Sequence, residues 1–167
     1  LITQFFGAFN DNAWKQLVLL LGMNIWLADW LAEHGAKPDE AVKEAAYLAR
    51  TTWSFLALNA ALFFFTIPSA YIADRFSKRS VIIGMKFFEL TLMAAGLFFL
   101  WKDPENSLVV FFIILVGLGA QSALFSPAKY GILPELLPHD RLSEGNGLLQ
   151  MWTMLAIIGG TAAAGPF

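Results

Sequence analysis

Three stretches of the chain, each 23 residues long, contain no charged side chain: residues 51–73, 106–128 and 145–167. The hydrocarbon core of a bilayer is about 30 Å thick, and an α-helix crosses it in about 20 residues. Because lipid offers no hydrogen bonds to the backbone, an uncharged run of this length is typical of a transmembrane helix. These runs therefore predict an all-α, polytopic transmembrane bundle.

Two further spans are predicted where single charges interrupt apolar sequence. Asp11 and Lys15 lie in the first of them, and Lys86 and Glu89 lie in the second. The strict alternation of polar and apolar residues in barrel strands is absent. We therefore expect five transmembrane helices, at about residues 1–28, 51–73, 80–101, 107–128 and 145–167.

The polar segments between these spans predict the connections. Residues 29–50 contain Pro38-Asp39-Glu40, a good helix start, and predict a short surface helix that leads into the second span. Residues 74–79 predict a tight basic loop, and residues 102–106 a short turn. Residues 126–144 contain three prolines and predict the longest connection on the side of the basic loop.

Composition excludes several classes of function. Hydrophobic residues make up 57% of the chain and charged residues only 14%, against about 25% in soluble domains. A net charge of -2 gives no basic face for nucleic acid. Without cysteine, and with two distant histidines, we expect no disulfide, metal or other cofactor. Because the chain starts at Leu1 and ends inside an apolar run, we expect it to be truncated at both ends.

The first span carries polar residues at its centre. Asp11 lies about 15 Å along the helix, near the bilayer midplane, where a charge costs at least about 2.5 kcal/mol. Asp11 and Lys15 have the spacing and order of a favourable ion pair, which by itself would only neutralise both. With Asn12 beside them, they predict a wet cavity that binds substrate or a coupling ion.

The third span adds a second charged pair. Lys86 and Glu89 are three residues apart and are predicted to pair on one helix face. Lys86 also lies close enough to the basic loop for its side chain to snorkel toward the surface. Both are candidate binding residues, whereas the polar Asn59, Gln121 and Ser122 are more typical of hydrogen bonds between helices.

Two residues of the first connection have the spacing of a catalytic dyad. His34 and Asp39 have the His-x4-Asp spacing of the acid–base dyad in glycerolipid acyltransferases, in which a positioned histidine deprotonates a hydroxyl. Pro38 lies inside the pattern, and no partner for an oxyanion or a phosphate follows it. We therefore expect no catalytic residue in this segment.

Residues 70–79, Ala-Tyr-Ile-Ala-Asp-Arg-Phe-Ser-Lys-Arg, resemble the signature loop Gly-x-x-x-Asp-Arg-x-Gly-Arg-Arg of the major facilitator superfamily. The chain departs from this pattern at Ala70 and Ser77. The resemblance implies the N-terminal part of a major facilitator fold, with a C-terminal half beyond this sequence. It also implies a gating loop formed by Asp74, Arg75, Lys78 and Arg79.

Residues 6–12 and 126–136 look like the bacterial lysophospholipid transporter family, as do Asn146-Gly147-Leu148 and Lys86. The resemblance implies a multi-pass inner-membrane protein that moves lysophospholipids, such as lysophosphatidylethanolamine, by alternating access. Its implied partners are membrane lipid, the lysophospholipid and a coupling cation. The family-motif residues in the second stretch are Pro127, Lys129, Tyr130, Gly131, Pro134 and Glu135.

Two alternatives stay open. One is a major facilitator transporter of another amphiphile or of a drug. The other is the transporter part of a fused phospholipid-repair acyltransferase, because the Asn10-Asp11-Asn12-x-x-Lys15 form resembles the fused members of the family. About seven more spans in the full-length protein would support a transporter, and soluble domains after them would indicate the fusion.

Lysine and arginine in the loops predict the orientation. The basic residues of segments 75–79 and 129–141 outnumber those of the opposite side and lie in tighter loops, which places these segments in the cytoplasm. Four tryptophans are predicted at the outer helix ends, where an aromatic belt belongs: Trp26, Trp30, Trp53 and Trp101.

This orientation predicts the labelling of single cysteines, since the chain has none of its own. In intact cells, an impermeant thiol reagent should label the full-length protein with Ala36→Cys and spare the protein with Ser77→Cys. Labelling of both after the cells are opened controls for reactivity. The reverse pattern in intact cells would invert the topology.

Overall fold

A computed structural model describes residues 2–104 and 107–165, with the backbone alone at residue 73. The described residues are helical apart from short connections, and contain no β-strand. This confirms the predicted all-α class. The elements are α1 (Ile2–His34), α2 (Glu40–Arg75), α3 (Lys78–Lys102), α4 (Leu108–Gly131), α5 (Leu133–Leu136), a 3-10 helix (His139–Arg141) and α6 (Leu142–Ala163).

Three described segments are long and apolar enough to cross a membrane: Glu40–Ile72, Lys78–Lys102 and Leu108–Leu136. They contain the predicted spans 51–73, 80–101 and 107–128, except that Ala73 follows the first segment and Ser107 precedes the third. The spans predicted at 1–28 and 145–167 fall on α1 and α6, which are long helices outside these three segments, and their crossing of the membrane stays a prediction. Residues 1, 105–106 and 166–167 of the predicted spans and turn lie outside the described residues.

The helix predicted within residues 29–50 does begin at Glu40 and lead into the second span, but the two form one continuous helix. α1 continues to His34 and is closed by Gly35, whose φ of 67° suits glycine, and α2 then runs unbroken from Glu40. Residues 40–50 are rich in alanine, glutamate and lysine, which favour helix, so the polar sequence continues the span instead of ending it. At 1.5 Å per residue, α1 and α2 measure about 50 and 54 Å and extend past the bilayer core.

The connection predicted at residues 126–144 is also shorter than expected. α4 continues through Pro127 to Gly131, and α5 and the 3-10 helix occupy most of the remainder. A proline removes one backbone hydrogen bond, and transmembrane helices tolerate this loss when neighbouring groups compensate. The prolines therefore do not mark the end of the span.

Small residues let the helices approach closely. α2 packs chiefly on α4, and α1 on α6. A Cβ atom at Gly160 would overlap the Phe9 carbonyl oxygen, and one at Gly119 would lie 2.7 Å from the Leu58 oxygen. Small residues at helix interfaces let backbones approach closely, and such packing stabilises helix association in lipid.

The best-buried cluster joins α1 to α4. Trp14 donates a hydrogen bond from Nε1 to the Phe111 oxygen at 3.2 Å, and the two rings meet edge to face. Gly96 on α3 leaves room for the Trp14 ring, because a Cβ there would overlap it. The cluster consists of Trp14, Val18, Phe111, Ile114, Leu115 and Leu118.

Contacts at the two ends of the bundle support the predicted arrangement of loops. Lys78 donates to the Gly131 oxygen at 2.9 Å and pairs with Glu135 at 2.5 Å, so the basic loop and the segment after α4 share one end. At the other end, Arg50 donates to the Gly22 oxygen at 3.1 Å and lies 5.3 Å from the Trp26 ring. Which end faces the cytoplasm stays a prediction.

The packing predicts a position-specific effect of one added methyl group. In the full-length protein, Gly160→Ala should lower the free energy of unfolding by about 1–3 kcal/mol, because two backbones cannot yield as a flexible side chain can. Thermal unfolding of the purified protein measures this. Gly84→Ala is the matched control, since nothing lies within 4 Å of a Cβ there. Equal stability of the two variants would contradict close packing of α1 on α6.

Candidate functional site

A polar cavity of about 300 Å³ lies among the helices, at the level of Asp11. α1 and α4 supply most of its polar lining, at positions three or four residues apart that share one helix face. α2 contributes two leucines, α3 one lysine and α6 a threonine. The polar lining residues are Gln4, Asp11, Asn12, Lys86, Gln121, Ser122, Ser126, Lys129 and Thr153.

The Asp11 carboxylate accepts a hydrogen bond from a side chain of α4. The Ser122 hydroxyl donates to Asp11 Oδ2 at 2.5 Å, whereas Oδ1 is buried and has no hydrogen-bond partner among the described residues. A buried acceptor without a partner costs about 1–3 kcal/mol, and more when it is charged. The free oxygen is therefore suited to a cation or a donor supplied by a ligand.

The ion pair predicted between Asp11 and Lys15 does not form. Lys15 instead donates to Asn12 Oδ1 at 3.2 Å, and Asn12 donates to the Ala8 oxygen at 2.8 Å. An ion pair on a helix surface contributes only about 0.2–0.5 kcal/mol, so the hydrogen bond from Ser122 on a neighbouring helix outweighs it. Among the described residues, Lys15 is also absent from the cavity lining.

Lys86 and Glu89 do pair as predicted, at 2.5 Å. Glu89 is only 4% exposed and also accepts from Asn10 at 2.9 Å and from Gln121 at 3.3 Å. Lys86 does not snorkel to the surface, because Glu89 and the Phe125 ring, 4.9 Å from its ammonium, hold it inside. The charged pair is thus part of a network that joins α1, α3 and α4.

Lys86 lies at the border between two cavities. It lines the polar cavity and also a groove of about 670 Å³ between α1 and α3, whose lining is mostly apolar. Gly7 makes room for it, since a Cβ at that position would be 2.8 Å from the Lys86 ammonium. Neither Gly7 nor Phe125 was predicted as a neighbour of Lys86, because nothing in the local sequence indicates contacts between helices.

Gln121 and Ser122 form the hydrogen bonds between helices that their sequence context predicted. Asn59 does not, and donates to the Phe55 oxygen of its own helix. Gln4 and Thr153 were missed, although they bond each other at 2.9 Å across α1 and α6. Their sequence signal is that each is a polar residue in a mostly apolar run.

Of the residues in the predicted gating loop, only some contact another helix or segment. Lys78 contacts the segment after α4, whereas Arg75 donates to the Tyr71 hydroxyl within its own helix. Asp74 and Arg79 are exposed. Asp74 forms no hydrogen bond or ion pair within residues 2–104 and 107–165.

The family-motif residues divide between structure and cavity. Lys129 lines the cavity, with its ammonium 4.3 Å from the Tyr130 ring. Gly131 and Glu135 accept from Lys78. Pro127 lies inside α4, and Pro134 lies in the first turn of α5.

The His34–Asp39 dyad is not formed. The His34 ring stacks on Trp30 with centroids 3.9 Å apart, and its Nδ1 lies 3.2 Å from the Trp30 oxygen. Asp39 lies at the N-terminal cap of α2. No hydrogen bond joins His34 to Asp39 in the described part of the chain, so these two residues do not form the acid–base pair that their spacing suggested.

A helical bundle with charged residues buried around a central cavity is typical of membrane transporters. Residues 7–167 match the family model of the Major Facilitator Superfamily. The chain belongs to this superfamily.

The chain is similar to proteins named lysophospholipid transporter LplT. It is 34% identical to that of Photorhabdus laumondii over 166 residues, covering 99% of this chain and 34% of the relative. Identity to that of Pectobacterium carotovorum is 34%, over 99% of this chain and 34% of the relative. For Klebsiella pneumoniae the identity is 32%, over 97% and 34%. The chain thus spans about a third of the length of these relatives, and no solved structure matches it.

Proposed function

We propose that this chain forms the N-terminal part of a transporter that moves lysophospholipids, such as lysophosphatidylethanolamine, across the bacterial inner membrane. The names of the relatives support the substrate class. The observation that carries the proposal is the unpaired oxygen of Asp11 in a cavity that also contains Lys86 and Lys129. Transport requires the full-length protein, because the site lies between two halves of such transporters.

The charges of the cavity complement an ethanolamine phosphate headgroup. Its ammonium donates to the free Oδ1 of Asp11, and its phosphate accepts from Lys86 and Lys129. Charge pairs of this kind are stronger in a low-dielectric site than in water. A coupling cation is the rival occupant of the Asp11 site, since it would also satisfy the free oxygen.

The acyl chain needs an apolar path that leads away from the headgroup. Three successive aromatic side chains of α2 provide exposed apolar surface in the middle of that span: Phe63, Phe64 and Phe65. A lipid-facing position for such residues costs nothing, because lipid tails are as apolar as the rings. We propose that the acyl chain leaves the bundle along this face.

The gating loop belongs to the same proposal. Alternating access requires contacts between elements that break as the two halves rock against each other. The pair of Lys78 with Glu135 closes one end of this half of the bundle. Asp74, exposed beside it, is available to the other half.

The role of Asp11 predicts a specific loss of transport. In the full-length protein, Asp11→Asn should abolish uptake of radiolabelled lysophosphatidylethanolamine into proteoliposomes, because asparagine keeps the size and removes only the charge. Lys15→Gln is the matched control from the same helix and should reduce uptake only mildly, since Lys15 bonds Asn12 and does not reach Asp11. Uptake by Asp11→Asn at the wild-type rate, in correctly folded protein, would refute the assignment.

A second lipid distinguishes the two proposed ligands of Asp11, the ethanolamine ammonium and a coupling cation. Lysophosphatidylglycerol has the phosphate but no amine. If Asp11 binds the amine, Asp11→Asn should lose the preference for the ethanolamine lipid and keep moving the glycerol lipid. If Asp11 binds a coupling cation, the variant should fail with both lipids.

A further inference from the structure

The Glu89 carboxylate is buried and accepts hydrogen bonds from two side chains besides Lys86. It is 4% exposed, and three donors on three helices converge on it: Asn10, Lys86 and Gln121. A carboxylate has about four acceptor positions, so the two neutral amides can hold it in place when the lysine is engaged elsewhere.

Lys86 depends on Glu89 in a different way. Glu89 is the one carboxylate within 4.0 Å of its ammonium in the described part of the chain. Its other close neighbours are the Phe125 ring and Gly7, which bring no negative charge. Lys86 also lines the cavity that Asp11 lines, and Asp11 has one oxygen without a hydrogen-bond partner among the described residues.

We propose that Glu89 is a positioning residue that occupies Lys86 in the substrate-free protein, and that the substrate's phosphate replaces the Glu89 carboxylate on Lys86. This inference rests on the proposed function and deepens it. Binding is then an exchange of one anion for another, after which Asn10 and Gln121 retain Glu89. The exchange weakens net affinity, which a transporter needs because a substrate bound too tightly is not released.

A purely structural role for Glu89 makes the opposite prediction. When one member of a buried ion pair is neutralised, the other remains as a lone buried charge, which destabilises the protein. In that case, neutralising Glu89 would loosen the site and weaken or leave unchanged the binding of substrate. The sign of the change in affinity therefore separates the two roles.

The test measures the Kd of lysophosphatidylethanolamine and lysophosphatidylglycerol for the purified full-length protein in nanodiscs. Glu89→Gln should bind both lipids at least about tenfold more tightly, because a charge-assisted hydrogen bond to Lys86 no longer has to be broken. The maximal rate of uptake should fall, because release becomes slower. In Lys86→Gln/Glu89→Gln, the gain in affinity should disappear.

Two further variants control the experiment. Glu40→Gln neutralises another acid three residues from a lysine, Lys43 at 3.6 Å, in an exposed pair far from the cavity, and should bind as wild type does. Glu89→Asp keeps the buried charge and shortens its reach to Lys86. It should therefore tighten binding as well, to a smaller extent, even if Glu89→Gln folds poorly.

Folding is followed by thermal unfolding and gel filtration. If wild type transports lysolipid while neither folded Glu89 variant binds it more tightly, the exchange is refuted and the proposed function stands. If wild type neither binds nor transports lysolipid, the proposed function is refuted and the exchange with it. Tighter binding that survives removal of Lys86 would also overturn the exchange.

Discussion

The hydrogen bond from Ser122 to Asp11 is the contact on which the rest of the site depends. Lipid offers no hydrogen bonds, and the backbone N–H groups in the middle of α1 are already bonded within the helix. A carboxylate there therefore takes its donor from another side chain, here one on a neighbouring helix. Ser122 provides it at 2.5 Å. Three residues further along α1, Trp14 bonds the Phe111 oxygen and fixes the same two helices a second time.

Close packing on the other side of α1 holds the same region in place. Gly160 of α6 lies against the backbone of Phe9 and Ala13, which flank Asp11 in the sequence. A change in the distance between α1 and α6 would therefore move the carboxylate as well as the helix. The small residues of α6 contribute no chemistry, but they determine where the acidic side chain of α1 lies.

The sequence predicted best what a single helix determines. The uncharged runs within α2 and α4 indicated two of these spans, and the apolar sequence of α3 indicated a third despite its two charges. The local spacing of Lys86 and Glu89 indicated their pairing. The failures have a common cause. The pairing rule for Asp11 and Lys15 describes an isolated helix and ignores α4. The polar residues 40–50 belong to α2 itself, although their charges suggested a connection outside the span.

What the sequence left open was which charges remain unmatched after the helices pack. Glu89 compensates Lys86, whereas Asp11 keeps a free oxygen, and Lys129 has a ring but no carboxylate within 4.0 Å in the described part of the chain. Ser122, which holds Asp11, and Lys129 are seven residues apart on α4, or about 10 Å along its axis. The unmatched charges are thus opposite in sign, and both residues line one cavity. In the function we propose, a zwitterionic headgroup pairs with both, whereas a ligand with a single charge leaves one of them unpaired.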